Sequence, residues 1–470
     1  MSLLNKVDYA YVPDPILWEY AGMDVDATYR VFQELRRRLR RSGLQDYYWE
    51  HIIPTLRNLL RTSLRGIYVN RKRLEKLDRF LTKVTDSLER QMRKVAGKVV
   101  EDFNPRSSAH VGKVLYGYLD LPVIKKTPSG NPSTDKDTLE QLFEQTREPF
   151  LDLLLQFRSL EKARSTYVAP LYVLMDENDR VHPTYKIEGA ITGRITAETP
   201  AVTTIPRDRE YRVGDRSVEL SFRGIFCAPP GYRIAYMDIQ QGELRVAAIV
   251  SGDQALLDIL ESGGDLHEET ARECLGIEGE ISKEQRVLSK AINFGLLYGA
   301  SPHGLSNSTG APLEVVEDFM RKHRRRFPAL HRFIEHIPDV AMETGYLESP
   351  FGRRKHIPPV LPRDAGSLAA LRRELINFLP QNGCMEVMAR VYNRLCDRFK
   401  KNKKLEAFPV NLVYDSVLVE FKKGYEKEVK EIMLEEQLKP VPELDNHVFA
   451  CSWGVGRSWS EAEKNAEDYR

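Results

Sequence analysis

Apolar positions recur at helical spacing through most of this chain, and strand-like alternation is confined to a few stretches. The segment WEYAGMDVDATYRVFQELRRRLRRSG sets apolar residues about a turn apart and ends in a glycine stop. WEHIIPTLRNLLRTSLRGIYVN predicts a helix that breaks at Gly66, followed by a short extended piece. From Arg71 to about Val100 the pattern is heptad-like and highly charged, which predicts one long exposed helix. The loop-rich stretch from Phe103 to Phe143 carries Ser, Thr and Asp positions that cap two further helices, with Pro128 to Pro132 marking a mobile tip. LLLQFRSLEKARSTYVAPLYVLM is another amphipathic helix.

Strand signals begin at His182 and become strong in YRIAYMDI (Tyr232 to Ile239). The chain then turns helical at GELRVAAIVSGDQALLDILE and stays so to about Lys400. NLVYDSVLVEF alternates like a half-buried strand pair interrupted by Asp415 and Ser416. Strands early and late with helices between them imply an α+β chain whose sheet is assembled from distant segments. There is no internal repeat.

At 470 residues the chain has room for about three domains. Its 42% apolar and 29% charged residues exclude wholesale disorder. No stretch approaches the ~18 apolar residues of a membrane span, and the N-terminus lacks the apolar region of a secretory signal. Five scattered cysteines without a CxxC pair argue against a disulfide framework or structural zinc. The composition therefore reads as a soluble intracellular protein. The net charge of +2 conceals three basic clusters, at Arg36–Arg41, Arg321–Arg326 and Arg398–Lys404. Each alone is the solvated face of a helix; together they make a polyanionic partner worth testing.

Three local features carry candidate chemistry. Asp238 ends the apolar strand IAYMD just before a helix, where an N-cap aspartate is the default and a metal ligand at a sheet edge is the alternative. Asp415 lies within an apolar strand pair, as a hairpin-turn residue or as a charge compensated by a divalent cation. Arg286, Lys290, Phe294 and Tyr298 follow one another at four-residue intervals, so two cations and two aromatics line one gently winding helix face. Such a stripe is usually snorkelling basic stems over core aromatics. Beside two acidic sheet positions it becomes what two-metal phosphoryl transfer on a nucleotide requires.

These residues stand inside longer patterns. DIQQGELR from Asp238 resembles the first palm motif of the family A DNA polymerases, DYSQIELR. RVLSKAINFGLLYG from Arg286 matches their fingers motif R-x3-K-x3-F-x3-YG, and VYDSVLVE around Asp415 resembles the second palm motif, VHDELVLE. STDKDTLEQL, RSLEKARSTYVAPL, ITGRITAETP, RRELINFLPQNG and GVGRSW follow in family order, so the resemblance runs from about Trp49 to the C-terminus. It implies a right-hand fold of palm with antiparallel sheet, helical fingers and helical thumb. The thumb would span about 75–165, the palm about 166–252 and 368–470, and the fingers about 253–367, all within a polymerase domain at 49–470.

The resemblance implies a role for each matching residue. Asp238 and Asp415, with the Ile239 carbonyl, would ligate two Mg²⁺ ions, for which Mn²⁺ would substitute. Arg286, Lys290 and His267 would hold a dNTP triphosphate, and Lys290 would protonate the leaving pyrophosphate. Phe294 would pack on the nucleotide, Tyr298 would guard the templating position, and Glu243 would act as the steric gate against a ribose 2′-OH, with Gln241 nearby. Gln241, Arg194, Arg373, Asn377 and Gln381 would contact primer–template DNA. A monomer is implied, with a separate nuclease or replisome protein as a further partner. Tyr20 and Asp24 resemble the last motif of the proofreading 3′–5′ exonuclease domain, which makes residues 1–48 a docked remnant of that domain or a start inside it, in either case without proofreading.

Several positions depart from the family pattern. Tyr414 stands for His and Ser416 for Glu in the second palm motif, which puts primer-end positioning and an auxiliary carboxylate in doubt. In the first palm motif, Ile239, Gln240 and Gly242 replace Tyr, Ser and Ile. Gly242 is expected to loosen packing behind Glu243. A single-subunit phage-type RNA polymerase shares the fingers-like helix and can carry Asp-Ser; Glu243 argues against it. A catalytically dead primer–template binding module is the third reading, against which the intact Asp238, Asp415 and Lys290 weigh.

Overall fold

The computed structural model describes residues 11–470; residues 1–10 of the expected exonuclease remnant lie outside the described residues. Helix α1 (Asp14–Arg41) has proline in its first turn, where no backbone N–H is needed, and closes at Ser42 before Gly43 at φ +72°. The predicted break at Gly66 is found, with Gly66 at φ +69° capping the preceding helix. Helix α2 (Arg71–Ala96) starts at Asn70, whose side chain accepts from Arg73 N at 3.0 Å. This helix was expected to be exposed. Instead Leu74, Leu81, Leu88 and Met92 are buried, and the helix packs on α3 (Pro149–Tyr167). Its charges occupy the outer face only, and the apolar stripe between them decides its place.

The remaining elements build the sheet and its cover. In chain order they include β1 (Tyr232–Ile239), α4 (Gly242–Ser251), α5 (Leu266–Leu275), α6 (Lys283–Leu297) and α7 (Ala365–Lys401). They continue with β2 (Phe408–Val413), β3 (Ser416–Lys422), β4 (Cys451–Gly456), α8 (Trp459–Lys464) and β5 (Glu467–Tyr469). The strands run in spatial order β2-β3-β1-β4-β5, and every neighbouring pair is antiparallel. The α+β expectation of a sheet drawn from distant segments is met.

The strand pair β2–β3 was expected to be half-buried, yet it is buried on both faces. Tyr236 and Leu418 join the core that contains Phe222 and Trp459. Their neighbours Met237, Val417 and Val419 face the opposite core, with Met388 and Tyr392 of α7. A sheet covered on two sides reads as a nearly continuous apolar run, so alternation understated its burial.

Helix α7 also sets the close packing beside α4. A Cβ on Gly383 would stand 2.6 Å from Val246 Cγ1, and one on Gly242 would run into the Cys384 sulfur and stand 2.9 Å from Ile239 Cγ2. The expected looseness behind Glu243 is therefore absent: Gly242 is a point of tight contact. Substituting Gly242→Ala should destabilise the fold by about 1–3 kcal/mol. The companion change Cys384→Ala, which removes the opposing sulfur, should recover part of that loss. Thermal melting of the single and double variants checks both.

Candidate active site

The antiparallel register aligns Asp238 on β1 with Ser416 on β3, which brings Asp415, in the β2–β3 turn, alongside it. Ile239 N donates to Asp415 O at 2.9 Å and locks the turn to the strand end. The two carboxyl groups are within hydrogen-bonding reach of each other. Burial, then the neighbouring Asp415 charge, pushes the Asp238 carboxyl up to about 8, against the opposing pull of Arg207. Asp415 is raised too, again chiefly by burial. The N-cap reading of Asp238 fails: α4 is entered through Gln241, at φ +48°, three residues later.

This pair suits a cation. Asp238 Oδ1 is buried without a hydrogen-bond partner, and two like charges side by side need neutralising. Among the described residues no group of three or more His, Cys, Asp or Glu side chains could hold a metal. Two carboxylates and backbone carbonyls are a fitting set for Mg²⁺, which keeps waters and takes its other ligands from substrate phosphates.

Across a cleft of about 460 Å³ from the carboxylates stands the face of α6. Ser282 and Gln285 start this helix with a reciprocal capping box. Arg286, Lys290 and Phe294 all line the cleft, together with Asp238, Ile239, Gln241, Glu243, His267 and Asp415. Lys290 Nζ lies 5.9 Å from the Phe294 ring centre, and the His267 ring is 5.5 Å from that of Phe294.

Asp265 organises this wall. It caps α5 by accepting from His267 N at 2.8 Å, and it accepts from Arg286 Nε at 2.8 Å. Burial, aided by the nearby Lys290 and Arg286 charges, lowers His267 to about 4, so its ring is neutral at pH 7. Asn293 Nδ2 donates to His267 Nδ1 at 3.1 Å, which leaves Nε2 as the ring donor. His267 thus offers a hydrogen bond rather than a positive charge.

Glu243, in the first turn of α4, accepts from Tyr298 Oη at 2.6 Å and from Arg194. Gln381 also bonds Tyr298. Arg194 in turn stacks over the Tyr414 ring at 4.8 Å. Tyr414 sits at φ +54°, a conformation side chains rarely adopt, and Ser416 Oγ donates to Val413 O at 3.0 Å. Ser416 therefore closes the turn and does not reach toward the carboxylates. Gln241 lines the cleft with a buried Oε1 that has no hydrogen-bond partner. Five residues of the candidate set do not line the cleft: Arg194 and Tyr298 adjoin it through Glu243 and Gln381 through Tyr298, Arg373 lines a separate cavity of about 600 Å³ behind α6 with Gly299 and Ile376, and Asn377 stays on α7 with Oδ1 buried and unbonded.

Sequence reasoning missed Arg207 and Glu463. Arg207 Nη2 lies 3.3 Å from Asp238 Oδ2 while its Nε lies 2.8 Å from Glu463 on α8. Arg207 leans on Asp238 as a counter-ion in this arrangement. Asp468 and Arg470 also line the cleft, brought there by β5 at the sheet edge. The local pattern around these residues carries no signal; strand order places Asp468 and Arg470, and a loop ahead of the sheet places Arg207.

Comparison with known proteins agrees with this architecture. The model of DNA polymerase family A matches residues 71–461, and the chain belongs to that family. DNA polymerase I of Pseudomonas aeruginosa is 31% identical over 447 residues, covering 94% of this chain and 47% of that protein. The thermostable DNA polymerase I of Thermus filiformis is also 31% identical, over 93% of this chain and 50% of its own length. The chain thus spans about half the length of these relatives. Among solved structures, the POL domain of Pol1 from M. smegmatis, in complex with DNA primer-template and dNTP, superposes with a TM-score of 0.81 at 27% identity. That match covers 91% of this chain and 73% of the other.

The raised Asp238 value has a consequence for stability. Its folded pKa lies above the ordinary 3.8, so the folded state binds the proton more tightly than the unfolded chain does. The stabilisation is full below about pH 4 and is lost as pH rises through about 8. In EDTA at pH 8, Asp238→Asn should therefore melt roughly 2–4 °C above the wild type. The gap should close toward pH 4. Melting curves across that range, with and without EDTA, check it.

Proposed function

We propose that this chain is a template-directed DNA polymerase that adds dNTPs to a primer 3′ end. The observation that carries the reading is one cleft that opposes the Asp238–Asp415 pair to Lys290, Arg286, His267 and Phe294. A triphosphate bridging the two walls would have its α-phosphate toward the carboxylates and its outer phosphates toward the cations. Asp238 and Asp415, with the Ile239 carbonyl, would hold two Mg²⁺ ions, and Mn²⁺ would substitute. Bound there, the ions supply Lewis acidity to the primer 3′-OH and charge neutralisation to the phosphates.

The chain's own side chains do the rest. Lys290 protonates the departing pyrophosphate, and neutral His267 donates Nε2–H to a phosphate oxygen. Arg286 exchanges its carboxylate partner Asp265 for phosphate, a charge-for-charge replacement. Phe294 stacks on the nucleotide, and Tyr298 holds the templating position until it is displaced. Glu243 occupies the space of a 2′-OH and so selects deoxyribose. Gln241, Arg194, Arg373, Asn377 and Gln381 support the duplex, the last four from outside the nucleotide cleft.

The right-hand division follows the same reading: thumb about 75–165, palm about 166–252 and 368–470, fingers about 253–367. Residues 1–48 are read as an exonuclease remnant without proofreading, a reading supported by the described helix α1, on which Tyr20 and Asp24 lie and no residue is buried.

Primer extension with Mg²⁺ on a 5′-overhanging template tests the proposal. dNTPs should extend the primer and rNTPs should not. Asp415→Ala should reduce the rate roughly 10³-fold, and Lys290→Ala roughly 10²–10⁴-fold with duplex binding retained. Glu243→Ala should raise ribonucleotide incorporation. Efficient rNTP extension by the wild type would favour the phage-type RNA polymerase reading. Absence of extension by a folded, duplex-binding protein would leave a binding module.

A further inference from the structure

Two groups hold the Glu243 carboxylate in place. Tyr298 Oη donates to it at 2.6 Å, and the Arg194 guanidinium donates to its other oxygen. With Tyr298 displaced, as the proposed function requires, the bond from Arg194 is the hold that remains. How firmly Glu243 stands therefore depends on how firmly Arg194 stands.

Arg194 lies in a loop, outside helix and strand. Its backbone is fixed by close packing, because a Cβ on Gly193 would stand 2.6 Å from Asn382 Nδ2 and 2.7 Å from Arg353 Nε. That packing does not reach the guanidinium, which sits at the end of a long side chain with many rotamers. The restraint there is the Tyr414 ring, whose centre lies 4.8 Å from the guanidinium carbon. A guanidinium meets a ring through its flat face, while all five of its N–H groups lie in its plane. Tyr414 thus orients Arg194 without consuming a donor. One edge serves Glu243, and the rest of the plane stays available to a duplex.

Tyr414 is itself an unusual residue for its backbone. It occupies φ +54° in the β2–β3 turn, where glycine or asparagine costs less. A turn built only to reverse the chain would favour one of those. The ring packs against the core that contains Phe222 and Trp459, which makes it a fixed platform. We propose that Tyr414 determines sugar specificity: by holding the Arg194 guanidinium against Glu243, it sets how strictly the cleft excludes a ribose 2′-OH. The assignment rests on the polymerase reading and on Glu243 as its gate. Tyr414 is a positioning residue that acts through Arg194, and the departure from the family's histidine gives the second palm motif a part in sugar selection.

Single-nucleotide primer extension with Mg²⁺, giving kcat/KM for a dNTP and for the matching rNTP, tests the proposal. Tyr414→Leu keeps the bulk but has no aromatic face, and it should lower the dNTP-over-rNTP ratio roughly tenfold through a gain in rNTP use. Tyr414→Phe retains the face and should keep the wild-type ratio. Arg194→Lys retains the charge without a planar group and should relax the ratio by a similar factor, a second reading should Tyr414→Leu not fold. Glu243→Ala should lower the ratio further, and adding Tyr414→Leu to it should change the ratio by less than about twofold, because the ring acts through the gate. An unmoved ratio in Tyr414→Leu or Arg194→Lys, a Tyr414→Phe variant as relaxed as Tyr414→Leu, or multiplying effects in the double variant overturns the proposal. A wild-type ratio in Glu243→Ala overturns the gate assignment and the proposal with it. Absence of extension by the wild type overturns the polymerase reading itself.

Discussion

Two carboxylates side by side at the end of a buried sheet repel each other, and much of the molecule exists to hold them there. β1 and β3 are clamped between two apolar cores, so the strand ends cannot splay to relieve the repulsion. The backbone bond from Ile239 to Asp415 fixes the hairpin turn to the strand. In this arrangement Arg207 supplies part of the missing positive charge and is itself anchored by Glu463. A divalent cation would bind here with little backbone reorganisation, because the two carboxyl groups already stand side by side, and it would displace the proton that burial and Asp415 hold on Asp238. Arg207 would then have to yield, and if the cleft holds DNA as proposed, a backbone phosphate would be the natural destination for its guanidinium.

The same economy governs the opposite wall. Arg286 rests on Asp265, Tyr298 on Glu243, and Glu243 on Arg194. Two groups proposed to meet substrate are bonded to protein partners that mimic it: Arg286 to a carboxylate in place of phosphate, and Glu243 to a hydroxyl in the space of a sugar. Exchanging one partner for the other costs little net electrostatic energy, so selectivity falls to shape. Glu243 is held from two sides in the first turn of α4, and α4 is in turn pressed on α7 through Gly242 and Gly383. A gate that excludes a single hydroxyl needs that rigidity.

What the sequence revealed divides along physical lines. The stripe on α6 was legible because a helix converts four-residue spacing into a common face without help from the rest of the fold. Asp238 and Asp415 were legible as a pair only through whole motifs, since each alone has a commoner local meaning as a cap or a turn. The cap reading failed because Gln241, with its left-handed backbone, begins α4 three residues later. Burial was misjudged for α2 and for β2–β3, where apolar pattern says which side is covered but not whether a second layer lies on the other. Arg207, Glu463 and Arg470 had no signal at all. Strand order brings Arg470 into the cleft, with β4 and β5 carrying the C-terminus beside β1, while Arg207 reaches Asp238 from a loop and is held by Glu463 on α8.

The departures from the family pattern are best understood as local substitutions that preserve the carboxylate pair. Tyr414 occupies the first position of the tight turn at φ +54°, and the Arg194 guanidinium on its ring helps hold it there. Ser416 spends its hydroxyl on Val413 O, which tightens the turn that carries Asp415. The position that elsewhere offers a third carboxylate has become a brace. Nearby negative charge is not lost, because Glu463 on α8 raises Asp238 further and holds Arg207 against it. Charge that one motif gives up is thus returned from a different segment. It comes back through an ion-paired arginine rather than as a direct neighbour, so the field at Asp238 would change if Arg207 were displaced. That makes the electrostatics of this site depend on what the cleft contains.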